Sequence, residues 1–111
     1  MTLGQRQEKF MELLPLLLIE ATRLGYKMRG GELYRTPEQA LLYAKQGRGI
    51  AKSLHQVKCA IDINLFASGV WLQKTEDHKE LGEFWESLHP NCRWGGRYND
   101  GNHYEFLENP R

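Results

Sequence analysis

The chain has no Lys/Arg-rich run, and its 15 Lys and Arg against 14 Asp and Glu leave a formal net charge of only +1. No strong field steers a polyanion toward it, so nucleic-acid binding gains little support. Cysteine is scarce, with Cys59 and Cys92 alone. The two can pair, but nothing demands it, and two free thiols in a reducing compartment is the simpler expectation. Repeats, low-complexity tracts and linkers are missing. No apolar run is long enough to span a bilayer. The nearest approach, MELLPLLLIEA at residues 11–21, follows Arg6 and Lys9 and loosely mimics a signal peptide. Glu8 and Glu12 lie before its uninterrupted apolar part and no A-x-A site follows, so it reads as a helix of the mature fold. KQGRGIAKS (45–53) lacks the Gly-Lys-Ser/Thr order of a P-loop and reads as a loop.

What is present fits one domain over residues 1–111 with a single hydrophobic core, at 41% hydrophobic and 26% charged residues. Thr2 with Gln5 predicts a capping box, and Phe10, Leu13, Leu14, Leu17, Leu18 and Ala21 form one apolar helical face closed by Gly25. Pro15 inside it predicts a kink or a break. Thr36, Pro37 and Gln39 start a second helix, with Leu41, Leu42 and Ala44 inward and Gly47 at its end. A third starts at Asp77 with Glu80 three on, carries Leu81, Phe84, Trp85 and Leu88 at helical spacing, and stops at Pro90. Between them lie strand patterns: YKMRGGELY (26–34) with a bulge or bend at Gly-Gly, CAIDINLF (59–66) turning through ASG into VWLQ, and HYEFL (103–107). This order predicts an α+β fold, a small and mainly antiparallel sheet with about three helices.

Alternation along 59–66 puts Cys59, Ile61, Ile63 and Leu65 on one side and Ala60, Asp62 and Asn64 on the other. Cys59 is thereby expected as a buried, inert thiol. Asp62 reads most plainly as a solvent-facing strand carboxylate. Ala60 beside it is small, however, and leaves room for a partner. His55 lies seven residues earlier, a spacing that carries little by itself. His103 opens the last strand opposite its aromatic core residues, and Asp100 lies three before it in the loop-forming YNDGNH. Two histidines and a carboxylate can therefore converge at one sheet edge with a second carboxylate nearby. Such a trio suits tetrahedral zinc with one position open to water, and the spare carboxylate suits a general base for hydrolysis. Ferrous iron is the alternative metal for it, in an oxygenase fold needing more strands. His78, in the first turn of the third helix, and His89, at its end, read as partly buried or dipole-favoured positions rather than ligands.

SLHQVKCAID (53–62) resembles the S-x-H-x-x-G-x-A-x-D signature of zinc peptidases acting on peptidoglycan. These are the D-alanyl-D-alanine carboxypeptidases of the vancomycin-resistance type and the phage L-alanyl-D-glutamate endopeptidases. WGGRYNDGNHYEF (94–106) resembles their W-G-G…D-x-x-H segment, and YRTPEQALLYAKQGRG (34–49) their Tyr-Arg-Ser/Thr block with its following glutamine. The blocks occur in family order. The resemblance implies a hedgehog/D,D-peptidase-like fold with a Zn2+ site at the edge of the sheet, its ligands His55, Asp62 and His103. Asp100 matches the catalytic acidic residue, and Arg35 an arginine that holds the scissile carbonyl oxygen as it becomes anionic. Ser53 and Gln39 match positions near the substrate. Gln39 is equally a helix cap, Ser53 a loop-ordering residue and Arg35 a surface ion pair, while Trp94 is a cleft wall or plain core.

Lys58 departs from the pattern, standing where the signature has glycine. Lysine takes a left-handed backbone poorly, so the loop between the ligands is expected to differ in path. The resemblance implies a monomeric peptidase acting on peptidoglycan stem peptides, with no nucleic-acid partner and no membrane insertion. With no signal peptide recognised, it looks like a phage endolysin, cytoplasmic until the membrane is opened. The alternatives are a D-alanyl-D-alanine carboxypeptidase on the same fold and a non-catalytic cell-wall or protein-binding module.

Overall fold

The computed structural model describes residues 1–31, 38, 42, 45 and 57–111. Among them, helix α1 (Leu3–Arg23) is followed by β1 (Lys27–Gly30), β2 (Ala60–Ala67), β3 (Val70–Leu72), a 3-10 turn (Thr75–His78), helix α2 (Lys79–Leu88), β4 (Cys92–Trp94), a second 3-10 turn (Gly95–Tyr98) and β5 (His103–Phe106). The strands form one antiparallel sheet in the order β1-β2-β5-β4, with β3 also on β2. The fold is α+β, as the order of patterns predicts.

Helix α1 begins with the expected capping box. The Gln5 amide donates to Thr2 Oγ1 at 3.2 Å, and the Thr2 amide donates to Gln5 Oε1 at 2.8 Å. Phe10, Leu14, Leu17 and Ala21 are its buried stripe, and Leu13 and Leu18 flank it. The helix runs through Pro15 as one element, so the predicted break does not occur. Proline removes one amide donor to the carbonyl of Met11. Both residues lie on the exposed side, where that carbonyl keeps access to water.

Glu38, Leu42 and Lys45 are helical, within the stretch predicted as the second helix, and the rest of that stretch lies outside the described residues. Leu42 is exposed rather than inward. Helix α2 starts at Lys79, two residues later than predicted. The preceding turn is 3-10, closed by the Lys74 amide donating to Asp77 Oδ2 at 3.1 Å. Leu81, Gly82 and Trp85 are its buried residues, and Phe84 and Leu88 pack at the margin. His89 accepts from the Asn91 amide at 3.0 Å and lies against Phe106, which fixes the exit past Pro90.

β1 ends at Gly30, and residues 32–34 of the predicted longer strand lie outside the described ones. β2 and β3 are joined by a two-residue turn, Ser68–Gly69, with φ 50 and 78. Positive φ at both positions suits the twist of a tight hairpin. β4 went unpredicted: three residues between a proline and a Gly-Gly pair give alternation nothing to work on.

One face of the sheet is core. Ile63 and Leu65 of β2, Tyr104 and Phe106 of β5 and Cys92 of β4 meet α1 and α2 there. Trp85 packs edge-on against both Phe10 (5.9 Å) and Tyr104 (6.4 Å). Its indole N–H donates to the Glu105 carbonyl at 3.0 Å, so the largest buried side chain leaves no donor unpaired. Cys59 and Cys92 are free and buried. Burial pushes both thiols up, that of Cys92 to about 12. With the core on one face, every second residue of β2 and β5 is presented on the other.

Candidate active site

Asp62 and His103 are those every-second residues. They stand directly opposite each other in the β2–β5 register, which brings His103 Nδ1 to 3.1 Å from Asp62 Oδ1. Next along β5 on the same face is Glu105, whose Oε1 is 2.7 Å from His103 Nε2. Across from Glu105 lie Ala60 on one side and Arg93 on the other, and Arg93 Nε donates to Glu105 Oε2. Both ring nitrogens of His103 therefore face carboxylates. Burial opposes protonation of that ring, but the hydrogen bonds to Asp62 and Glu105 outweigh it and raise its pKa to about 9. Burial likewise pushes Glu105 upward, and His103 and Arg93 more than reverse this, holding it below the usual carboxylate range.

Glycines let the backbone close around this pair. The Gly31 amide donates to the Asp62 carbonyl at 2.7 Å, and a Cβ on Gly31 would stand 3.0 Å from Asp62 Cβ. At Gly95 a Cβ would come within 2.2 Å of the Asp100 carbonyl oxygen and 2.8 Å of His103 Cβ. Only glycine fits there without a shift. The tight 95–98 turn then carries the chain through a left-handed Asn99 (φ 61) to Asp100, whose amide donates to the Gly95 carbonyl at 2.9 Å. Asp100 lines a polar cleft of about 190 Å3 that also touches Asn64, Trp71, Lys74, Thr75 and Asn102.

Trp94 lies on the other side of the sheet. It is paired with Tyr104 and packs against the core. Its ring is wedged between Gly82 and Gly96, where a Cβ would approach it to 2.0 and 2.3 Å. Its indole N–H donates to the Gly101 carbonyl at 2.7 Å, bracing the loop that holds Asp100. Of the two readings open for Trp94 in the sequence, the packing is that of a core wedge. His78 is buried, with Nδ1 2.8 Å from Tyr104 Oη, and burial depresses its pKa to about 4.

His55, Arg35, Ser53 and Gln39 lie outside the described residues. Among the described residues no three His, Cys, Asp or Glu side chains are grouped to hold a metal ion. The pair that is described nevertheless fits one. Two ligands of a tetrahedral zinc with bonds of about 2.0–2.1 Å stand about 3.3 Å apart. The imidazole nitrogen and carboxylate oxygen here are 3.1 Å apart, on the side of the sheet opposite the core. Lys58, between His55 and Asp62 in sequence, takes φ 59, so it adopts the left-handed backbone that the glycine of the signature would take. The loop from His55 up to it lies outside the described residues. Glu105 was missed as a site residue. Its alternation with Tyr104 and Phe106 was visible, but nothing in the sequence marked Arg93 as its partner.

A family model described as D-alanyl-D-alanine carboxypeptidase matches residues 46–106. No curated protein sequence matches the chain. Among solved structures, the L-Ala D-Glu endopeptidase ChiX of Serratia marcescens superposes with a TM-score of 0.72 at 16% identity, over 90% of this chain and 79% of that one. A mutant of the vancomycin-resistance D,D-pentapeptidase VanY from a VanB-type cassette, in complex with Zn(II), superposes with a TM-score of 0.57 at 20% identity. That match covers 89% of this chain and 71% of the other.

Proposed function

Because this chain belongs to the D-alanyl-D-alanine carboxypeptidase family of peptidases, we propose that it is a zinc-dependent peptidoglycan endopeptidase cutting the stem peptide between L-alanine and D-glutamate. The observation that carries the reading is the 3.1 Å apposition of Asp62 and His103, on the face opposite the core, with Asp100 three residues before His103. In this reading Asp62, His103 and His55 hold the ion. When bound, zinc lowers the pKa of a water and polarises the scissile carbonyl. Asp100, at the edge of the polar cleft, takes the proton of the attacking water and returns it to the leaving amine. Arg35 steadies the developing oxyanion. Ser53 and Gln39 lie along the peptide, and Trp94 acts by bracing the Asp100 loop. The ChiX-like fold over 90% of the chain favours the endopeptidase bond.

The second reading keeps the chemistry and moves the bond to D-alanyl-D-alanine, favoured by the description of the family model. The proposed enzyme is a monomer in which residues 1–111 form one catalytic domain, and its lytic use is that of an endolysin reaching the wall through an opened membrane. No helix among the described residues is long and apolar enough to cross a membrane. Metal analysis and mass spectrometry of digested muropeptides test these points together. Release of fragments split between L-alanine and D-glutamate, abolished in His103→Ala, is expected. Loss of terminal D-alanine alone would transfer the assignment to the carboxypeptidase. A zinc-free protein whose His103→Ala variant still hydrolyses would end both.

A further inference from the structure

We propose that Glu105, anchored by Arg93, is the positioning residue that sets the tautomer and direction of His103 toward the metal. This rests on the zinc reading above. His103 and Glu105 are two apart on β5 and share the face opposite the core, with Nε2 and Oε1 2.7 Å apart. Both are buried. The other Glu105 oxygen accepts from Arg93 Nε, and Arg93 is directly opposite Glu105 across β4–β5. The Arg93 guanidinium in turn lies 5.3 Å over the ring of Tyr98, which flanks His103 at 6.2 Å.

The chemistry of the groups dictates the role. A metal-ligating imidazole is neutral and carries one N–H. A carboxylate only accepts, so the nitrogen facing Glu105 must be the protonated one. That leaves the lone pair on Nδ1, the nitrogen already directed at Asp62. Glu105 is itself a poor candidate for a ligand. It approaches His103 from the side remote from Asp62, and its second oxygen is engaged by Arg93. Arg93 holds the carboxylate in that position. The arrangement is the carboxylate–histidine pair that commonly orients metal ligands, here built from one row of a β-ladder.

Zinc affinity of the full chain, measured by competition with a chromophoric chelator, tests this without relying on activity. Glu105→Ala is expected to bind zinc about 10–100-fold more weakly. Glu105→Gln should lose less, because its carbonyl can still accept from Nε2–H. Arg93→Ala should fall between that variant and the unaltered protein. Nitrogen-15 NMR of the zinc-loaded protein should find the His103 proton on Nε2, and a mixed or inverted tautomer in Glu105→Ala. If Glu105→Ala does not fold, Glu105→Gln and Arg93→Ala decide the matter. Unchanged affinity and an unchanged tautomer in the folded variants would overturn the positioning role while leaving the zinc site in place. No zinc binding by the unaltered protein would overturn the metal reading itself, and this role with it.

Discussion

Lys58 holds φ 59 where the resembled signature carries glycine. A left-handed backbone costs an L-residue about 1–2 kcal/mol, partly repaid because glycine has more freedom to lose on folding. Lys58→Gly is therefore expected to be neutral or to stabilise by up to about 1 kcal/mol. Lys58→Ile, β-branched in the same conformation, should destabilise by about 1–2 kcal/mol. Urea midpoints of the two variants give the comparison, and equal midpoints would mean that this residue carries no backbone strain. Asp100 makes the sharpest claim at this scale. As the proposed proton carrier on an exposed loop, Asp100→Ala should lower kcat by about 10²–10⁴-fold while zinc content and melting temperature stay put. A variant that digests muropeptides at the parent rate would remove Asp100 from the reaction.

Among the elements, α2 and the β4 turn are locked together by Trp94. A Cβ on Gly82 would fall 2.0 Å from its ring. Alanine in place of a helical glycine ordinarily gains about 1 kcal/mol. Here overpacking, costing about 1–3 kcal/mol, should win, so Gly82→Ala is expected to destabilise despite its better helix propensity. Because the same ring braces Gly101, the variant should also lose activity beyond its loss of stability. Thermal unfolding and kcat measured below the transition separate the two effects, and a stabilised Gly82→Ala would refute the wedge. The elements that were legible beforehand are those with a strong local rule. The capping box of α1 follows from the need to satisfy the first helical amides, and the Leu81–Leu88 stripe and the alternation of β2 and β5 follow from one-sided burial. That same alternation is why Asp62 and His103 could be placed on one face without knowing the fold. β4 is too short for periodicity, and Trp94 has a core role set by contact with Gly82 on another element. Glu105 reads as an ordinary strand carboxylate until the register brings Arg93 and His103 to it.

For the molecule as a whole, one contribution to acid stability comes from a buried histidine that is not among the proposed ligands. His78 is packed between α2 and β5, hydrogen-bonded to Tyr104, and burial lowers its pKa from 6.5 to about 4, with Asp77 opposing the shift. Above pH about 6.5 the ring is neutral whether the chain is folded or not, so it adds no pH dependence. As pH falls from there toward 4, the unfolded chain takes up a proton that the folded one refuses. Unfolding is favoured by up to about 1.4 kcal/mol per pH unit, and by about 3 kcal/mol across the window. His78→Gln keeps a partner for the Tyr104 hydroxyl and cannot titrate. It should be the less stable protein at pH 7.5, through altered packing, with the gap closing or reversing toward pH 4.5. Taking the difference between parent and variant cancels every other titrating group common to both. Urea unfolding at intervals between those pH values measures it, and two curves that stay parallel would show that His78 is not buried as a neutral ring.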